Sequence, residues 1–347
     1  APTDGKPGKL TRFGKSGCHV LDCAYRVGMK MSHQHALIAL IAATALWGVS
    51  FPLTKSLMLE QAVLVPGAST WFFSAWLLAA RFLLGALVLL PVMVKFRIRA
   101  GELRQGMVLA FWGGFGMWAQ ADGLAHTAAS TSAFFTQGYC IFLPLWFGLR
   151  QRRWPAPRIF IATLMVLAGG AWIAGVRPGN FQLGRGEWET LLAALLFTFQ
   201  ILALEDPAHA ANRALPVTFV MFLGTALIFL PVAYGAAPSA AAFVAAGSSW
   251  AVALQVAALA VFSTVGAYVL MIRFQRGVTA TEAGLIYCAE PVFTAVFVLF
   301  LPGWLAIWTG NPYANESWSP SFIGGGLLIT AANVVMQWKY PEPVHAG

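Results

Sequence analysis

Charge is what this sequence lacks. Only 10% of its 347 residues are Asp, Glu, Lys or Arg, against 59% that are hydrophobic, whereas a soluble domain carries about 25% charged residues. So few charges cannot clothe a water-facing surface, and a mean hydropathy of +0.70 makes lipid the solvent for most of the chain. Histidine is equally scarce. The six, His19, His33, His35, His126, His209 and His345, stand in tails or at the ends of apolar runs. There is no H-E-x-x-H, no Walker-type Gly-Lys loop and no Asp-His pair, so hydrolysis, metal catalysis and ATP-driven pumping lack their residues. No cofactor and no metal ligand set is expected. Of the four cysteines, Cys18 and Cys23 flank His19 in "CHVLDC", at most a loose metal pattern, while Cys140 and Cys288 lie in apolar runs as small packing residues. A disulfide framework is not indicated.

The formal charge of +9 does not point to nucleic acid, because the basic residues fall between apolar runs and not on one polar face. Residues 1–35 are basic and, over 1–30, aperiodic. Translation is expected to begin at Met31, with residues 1–30 a start-site extension or a disordered tail, excluded from fold reasoning. A helix needs roughly 20 mostly apolar residues to cross a bilayer. On that measure spans are expected near 36–58, 71–94, 105–126, 130–149, 158–176, 188–206, 215–235, 249–273, 278–301 and 320–340. With both termini in the cytoplasm, all but four of the 22 Lys and Arg fall inside, the exceptions being Lys55, Arg81, Arg177 and Arg185. That matches the positive-inside bias. The expected class is therefore an all-α integral membrane protein of ten spans in a cell membrane of the bacterial inner-membrane type.

The halves 36–176 and 188–340, followed by a cytoplasmic tail at 341–347, echo each other weakly. "TSAFFTQGYCIFLPLWF" (131–147) and "TATEAGLIYCAEPVFTAVF" (279–297) share a Thr-rich start, a Tyr-Cys pair and a following proline. Five spans per half make the second copy enter from the opposite side, an inverted repeat. Proline frees the carbonyl four residues back, and lipid cannot satisfy it. Pro144 and Pro291 are therefore expected to be structural kinks beside a hydrated cavity or a neighbouring helix.

Several of these stretches resemble the EamA-type members of the drug/metabolite transporter superfamily. They are "ALIALIAATALWGVSFPLTKSLM", "AARFLLGALVLLP", "STSAFFTQGYCIFLPLWFGLRQRRWP" and "AGLIYCAEPVFTAVF". The resemblance runs from about Ala36 to Tyr340. It departs at "LPGWLAIWTGNPYANESWSP", where family members often have a short Gly-Glu turn. It implies ten helices, alternating access and export of small polar or amphipathic metabolites, such as amino acids or related compounds, or cationic drugs. It also implies a cavity lined by the first, third, fourth, sixth, eighth and ninth spans.

Glu290 is the most expensive residue in the apolar runs. A carboxylate at mid-bilayer costs at least roughly 2.5–3.5 kcal/mol and faces an interior cavity in nearly every known instance. Tyr287 and Thr294 share its helical face with Gly284. Three roles stay open: partner of a substrate ammonium, proton-coupling acid, or a neutral structural carboxyl. The aromatic faces of Tyr287 and Trp47 tilt the balance toward the ammonium. The expected substrate-binding set is Trp47, Trp118, Gln120, Gln137, Tyr139, Gln200, Tyr268, Tyr287 and Glu290, with Ser263 among the neutral polar residues. Arg81 is read as structural on a peripheral helix, Lys55 as snorkelling, and Asp122 as either a vestibule charge or a plain helix end. Expected partners are a small-molecule solute and the bilayer, with protons as a candidate coupling ion and no nucleic acid. Oligomeric state is not legible. An integral-membrane enzyme, a channel and a purely structural membrane protein are the rival classes.

Overall fold

The structure is a computed structural model that describes residues 32–152, 156–173 and 183–337. The tail with Cys18, His19, Cys23 and Met31, the segment holding Arg177, Lys339, and the tail 341–347 lie outside the described residues. Every regular element among the described residues is helical. In chain order these are α1 (His33–Gly48), α2 (Ser50–Leu64), α3 (Thr70–Met93), α4 (Ala100–His126), α5 (Ala129–Thr136), α6 (Tyr139–Gln151), α7 (Pro157–Ile173) and α8 (Arg185–Glu205). Then follow α9 (Ala214–Ala236), α10 (Ala240–Ala245) and α11 (Trp250–Ala258), which passes through a π-helical stretch, Leu259–Gly266, into α12 (Ala267–Phe274). The last are α13 (Ala280–Tyr287), α14 (Glu290–Val298), α15 (Leu301–Thr309) and α16 (Pro320–Gln337).

Among the described residues, seven helical segments are long and apolar enough to cross a membrane: His33–Leu64, Thr70–Met93, Ala129–Arg150, Arg185–Glu205, Ala214–Ala236, Trp250–Gly277 and Ala280–Val298. Backbone groups in hydrocarbon must be satisfied within the segment, which selects helix throughout. Polar residues start the helices where the apolar runs begin. Ser69 Oγ accepts from the Phe72 amide at 3.2 Å. Thr279 and Glu282 form a reciprocal capping box before α13.

The bundle is organised by pairs. α3 packs along α9, α4 lies against both α8 and α9, α7 pairs with α16, and α1 contacts α12 and α14. The α4 seam depends on glycine. A Cβ on Gly113 would come within 2.1 Å of Gln200 Nε2, and one on Gly123 within 2.7 Å of the Gly186 carbonyl oxygen. Small residues let backbones approach closely where no hydrophobic force drives helices together in lipid.

Three local features differ from the sequence expectation. The first apolar run continues to Leu64, across a small irregularity at Val49 between α1 and α2. The Trp-rich stretch after α14 forms a short helix of its own, α15. Pro144 lies inside continuous α6, and the break in this span falls earlier, at Gln137–Gly138. The reason is local: Thr163 Oγ1 of α7 donates at 3.2 Å to the Cys140 carbonyl, the one that Pro144 deprives of its helical donor. The freed group is met by a neighbouring helix, and α6 stays whole.

Candidate functional site

Two interrupted helices meet inside the bundle. α5 gives way to α6 at Gln137–Gly138, and α13 to α14 at Cys288–Ala289. At the second break the Val292 amide turns to the Ala289 carbonyl at 3.0 Å, so the Cys288 carbonyl loses its helical donor. Gln137 Nε2, from the first break, donates to that carbonyl at 2.9 Å. Gln137 is thus fully buried as a tie between the breaks and does not line the cavity, a correction to its expected substrate contact. The side-chain amide replaces the missing backbone N–H with a donor of the same kind, so the buried carbonyl stays paired.

Beside the breaks lies a cavity whose empty space, counted out through its open mouth, is about 520 Å³. Its wall contains seven residues of the expected set: Trp47, Gln120, Tyr139, Gln200, Tyr268, Tyr287 and Glu290. Glu290 is the first residue of α14 and 6% exposed. Among the described residues it has neither a hydrogen bond nor an ion pair, and it opens on the cavity. The helix N-terminus beneath it supplies partial positive charge, which favours an anion there. An aromatic wall stands alongside. Trp47 meets Tyr268 and Tyr287 edge to face, with centroids 5.4 and 5.3 Å away. Tyr287 is held by its hydroxyl donating to Gln275 Oε1 at 2.8 Å, and Gln275 Nε2 donates to the Ile201 carbonyl at 3.1 Å. Gln120 Nε2 donates to Thr136 Oγ1 at 2.9 Å, and the Tyr268 hydroxyl rests on Met117 Sδ at 3.4 Å.

Arg81 is the principal residue that sequence reasoning misplaced. It is buried, it lines the cavity, and its Nε donates to Thr264 Oγ1 at 2.5 Å. Thr264 belongs to the π-helical stretch, whose wider turn shifts side-chain register relative to an α-helix. Nothing in composition signals a π turn, and the family resemblance put the helix of Arg81 at the periphery. Ser50, Met117, Thr136, Phe197, Ile201 and Met271 also line the cavity. A smaller chamber of about 320 Å³ continues beyond Arg81, Ser50, Met117 and Gln120 to Thr54 and Leu124.

Other expected positions separate. Trp118 does not line the cavity. Its indole donates to the Trp71 carbonyl at 3.2 Å and its ring packs on Trp71 at 4.7 Å. The cavity face of α4 runs through Met117, Gln120, Ala121 and Leu124, and residue 118 is turned about 100° from 117. The stripe expected along one face from Gly284 to Thr294 is split, because the helix is interrupted between them. Gly284 faces Leu143, and Thr294 Oγ1 donates to the Gly48 carbonyl at 3.4 Å. Ser263 Oγ donates to the Leu46 carbonyl at 2.8 Å. Lys55 does not snorkel, since its Nζ donates to the Thr127 carbonyl, 2.5 Å away, just past the end of α4. Asp122 is buried and ion-paired with Arg185 at 2.5 Å.

No family model and no curated protein matches this chain. It is similar to a solved structure described only as "Crystal structure of protein", with a TM-score of 0.59 at 19% identity, covering 88% of this chain and 97% of the other. At that identity the likeness establishes one thing: this chain shares its helical fold with a protein of known structure.

Proposed function

We propose that this chain is a secondary transporter, built on ten spans as two inverted five-helix repeats in the manner of EamA-type drug/metabolite transporters. It moves a small amphipathic solute by alternating access. The observation that carries this reading is the cavity at two helix breaks, with Glu290 and Arg81 both on its wall. Interrupted helices around a central polar site are the usual construction of carriers with inverted repeats. The packing supports the repeat. α3 pairs with α9 and α7 with α16, the second and fifth spans of each half, while the α4–α8 contact has its counterpart in α12–α1. The basic loops around Arg97, Arg213 and Arg276 mark the cytoplasmic side under the positive-inside bias.

The wall chemistry suits a zwitterionic or cationic amphiphile. Glu290 and the faces of Trp47, Tyr268 and Tyr287 receive an ammonium group, Arg81 receives an anionic group, and Met117, Phe197, Ile201 and Met271 receive an apolar body. Metabolite profiling of medium from overexpressing and deletion strains identifies the solute. Flux in proteoliposomes then tests the mechanism: saturation and trans-stimulation are expected, and their absence despite flux would make the protein a channel. Glu290→Gln is expected to remain folded while abolishing both uphill transport and exchange. Preserved exchange with lost uphill movement would instead assign Glu290 to proton coupling, and normal transport would assign it to structure.

A further inference from the structure

The end of the bundle opposite the basic loops carries a second buried acid that the transport reading leaves unused. Asp122 of α4 and Glu189 of α8 share the guanidinium of Arg185. Arg185 Nη2 lies 2.5 Å from Asp122 Oδ2, and its Nε lies 2.8 Å from Glu189 Oε1. Each carboxylate therefore spends one oxygen on Arg185 and keeps one. Asp122 Oδ1 and Glu189 Oε2 are both buried and without a partner among the described residues, and the Asp122 side chain is only 4% exposed. One oxygen of each carboxyl group lies within 4.8 Å of one of the other.

Two carboxylate oxygens cannot satisfy one another, because neither carries a hydrogen. Two negative charges against one guanidinium leave one charge in excess, and a proton on either carboxyl removes the excess and supplies a donor where none exists. The other groups facing the pair do not fill this role. On α4, His126 Nε2 is 4.0 Å from Asp122 Oδ2 and 3.2 Å from Thr70 Oγ1. On α8, Glu187 accepts from Thr127 Oγ1 and the Gly184 amide. On α2, Lys55 is committed to the Thr127 carbonyl. α3 contributes no titratable group, only Thr70 and Trp71, and Arg185 lies 5.9 Å from the Trp71 ring centroid. Asp122, His126 and Glu189 have ligand atoms within 4.8 Å of one another, but a metal there would sit against the guanidinium and compete with Thr70 for the imidazole nitrogen.

We propose that Asp122 and Glu189 hold one exchangeable proton between them, and that this proton locks α4 to α8 at the end of the bundle opposite the basic loops. The proton comes from the aqueous phase at that end and adds to a carboxylate oxygen, with no other bond broken. Its departure leaves two carboxylates in mutual repulsion across the α4–α8 seam, beside the smaller chamber that Leu124 lines. The site goes beyond the transport reading, to which it adds the group that closes one end of the cavity.

Infrared difference spectra between acid and alkaline pH, on Glu290→Gln protein in nanodiscs so that Glu290 contributes nothing, test the site. A protonated-carboxyl C=O band that bleaches as pH rises is expected, and it should be missing in both Glu189→Gln and Asp122→Asn. Overturning results are the absence of any such band, its persistence in both variants, or its loss in one alone, which would place the proton on a single carboxyl. Displacement of the band by Zn²⁺ at constant pH, with binding lost in the same variants, would make this a metal site and also overturn the proposal. The lock is read with Leu124→Cys in a background lacking the four native thiols. Its alkylation rate relative to the same protein carrying Glu189→Gln, whose neutral amide removes the excess charge at every pH, is expected to rise severalfold from acid to alkaline pH. A flat ratio would refute the lock. Neither readout uses a solute, so a failed transport assay leaves the site standing, and a failed titration leaves the transport reading standing.

Discussion

The two ends of the bundle use the same chemical parts and finish them differently. At the basic end, Glu102 of α4 is enclosed by Arg213. Oε1 accepts from Arg213 Nε at 2.6 Å and from the Arg213 amide at 3.3 Å, while Oε2 accepts from Nη2 at 2.9 Å and from the Arg99 amide at 2.9 Å. Arg213 Nη2 also donates to the Arg97 carbonyl at 2.7 Å, and Arg276 Nη1 reaches the Asn212 carbonyl at 2.5 Å. At the other end Arg185, 47% exposed, is divided between two acids and leaves an oxygen on each unfilled. An acid with four donors is a staple, and an acid with a vacant lone pair is a place for something that comes and goes. The difference lies in the count of donors around each carboxylate, not in residue type.

The largest test of that contrast is Arg213→Ala. It strands a buried Glu102 and should lower stability by about 3–5 kcal/mol, measured as a drop in thermal unfolding temperature in detergent.

The pH profile sharpens it. The Arg213 guanidinium and the backbone amides hold the Glu102 carboxyl down to about 2 from its ordinary 4.5. A carboxyl depressed in the folded state contributes stability that is present above its unfolded value and is lost as pH falls through the folded value. The gap between wild type and Glu102→Gln should therefore be constant above about 4.5 and close toward about 2. A gap that closes near neutrality would show Glu102 to be less well paired than its four hydrogen bonds indicate.

Arg185→Ala should cost less, about 1–2 kcal/mol near neutral pH, because a second proton can neutralise the acids it leaves behind. Its cost should grow as pH rises, in the same sense as the Glu102 profile, because in both cases protonation of the acid removes the charge that the arginine answers. The smallest effect belongs to His126→Ala, a few tenths of a kcal/mol by the same unfolding measurement, since its polar contacts are exposed or long. A loss there as large as at Arg213 would erase the distinction between the two ends.

Much of the site was visible in the residues alone. Glu290 stood out because a carboxylate is among the costliest groups an apolar run can hold, and the polar aromatics Tyr139, Tyr268 and Tyr287 drew notice as polar groups in the same runs. Gln137 and Trp118 look no different in sequence from Gln120 and Trp47, yet one ties two helix breaks together and the other packs on Trp71. The periodicity that placed Gly284 on the face of Glu290 and Thr294 assumed an uninterrupted helix, and the break at Cys288–Ala289 cancels it. Arg81 could not be placed from its own helix, because its partner Thr264 is 183 residues away on a π-helical turn.

By itself the sequence determined the solvent and the kind of secondary structure. Too little charge leaves lipid as the medium, and lipid leaves the helix as the form in which these runs satisfy their own amides. Tertiary structure alone decided which buried polar groups face a cavity and which are used up on a neighbour. That choice depends on the rotation of each helix about its axis and on where its register is interrupted. Both are set by how closely partners such as Gly113 and Gly123 allow the helices to approach. Side chains identical in solvation cost thus acquire different roles only when the opposing surface supplies, or withholds, a hydrogen-bond partner.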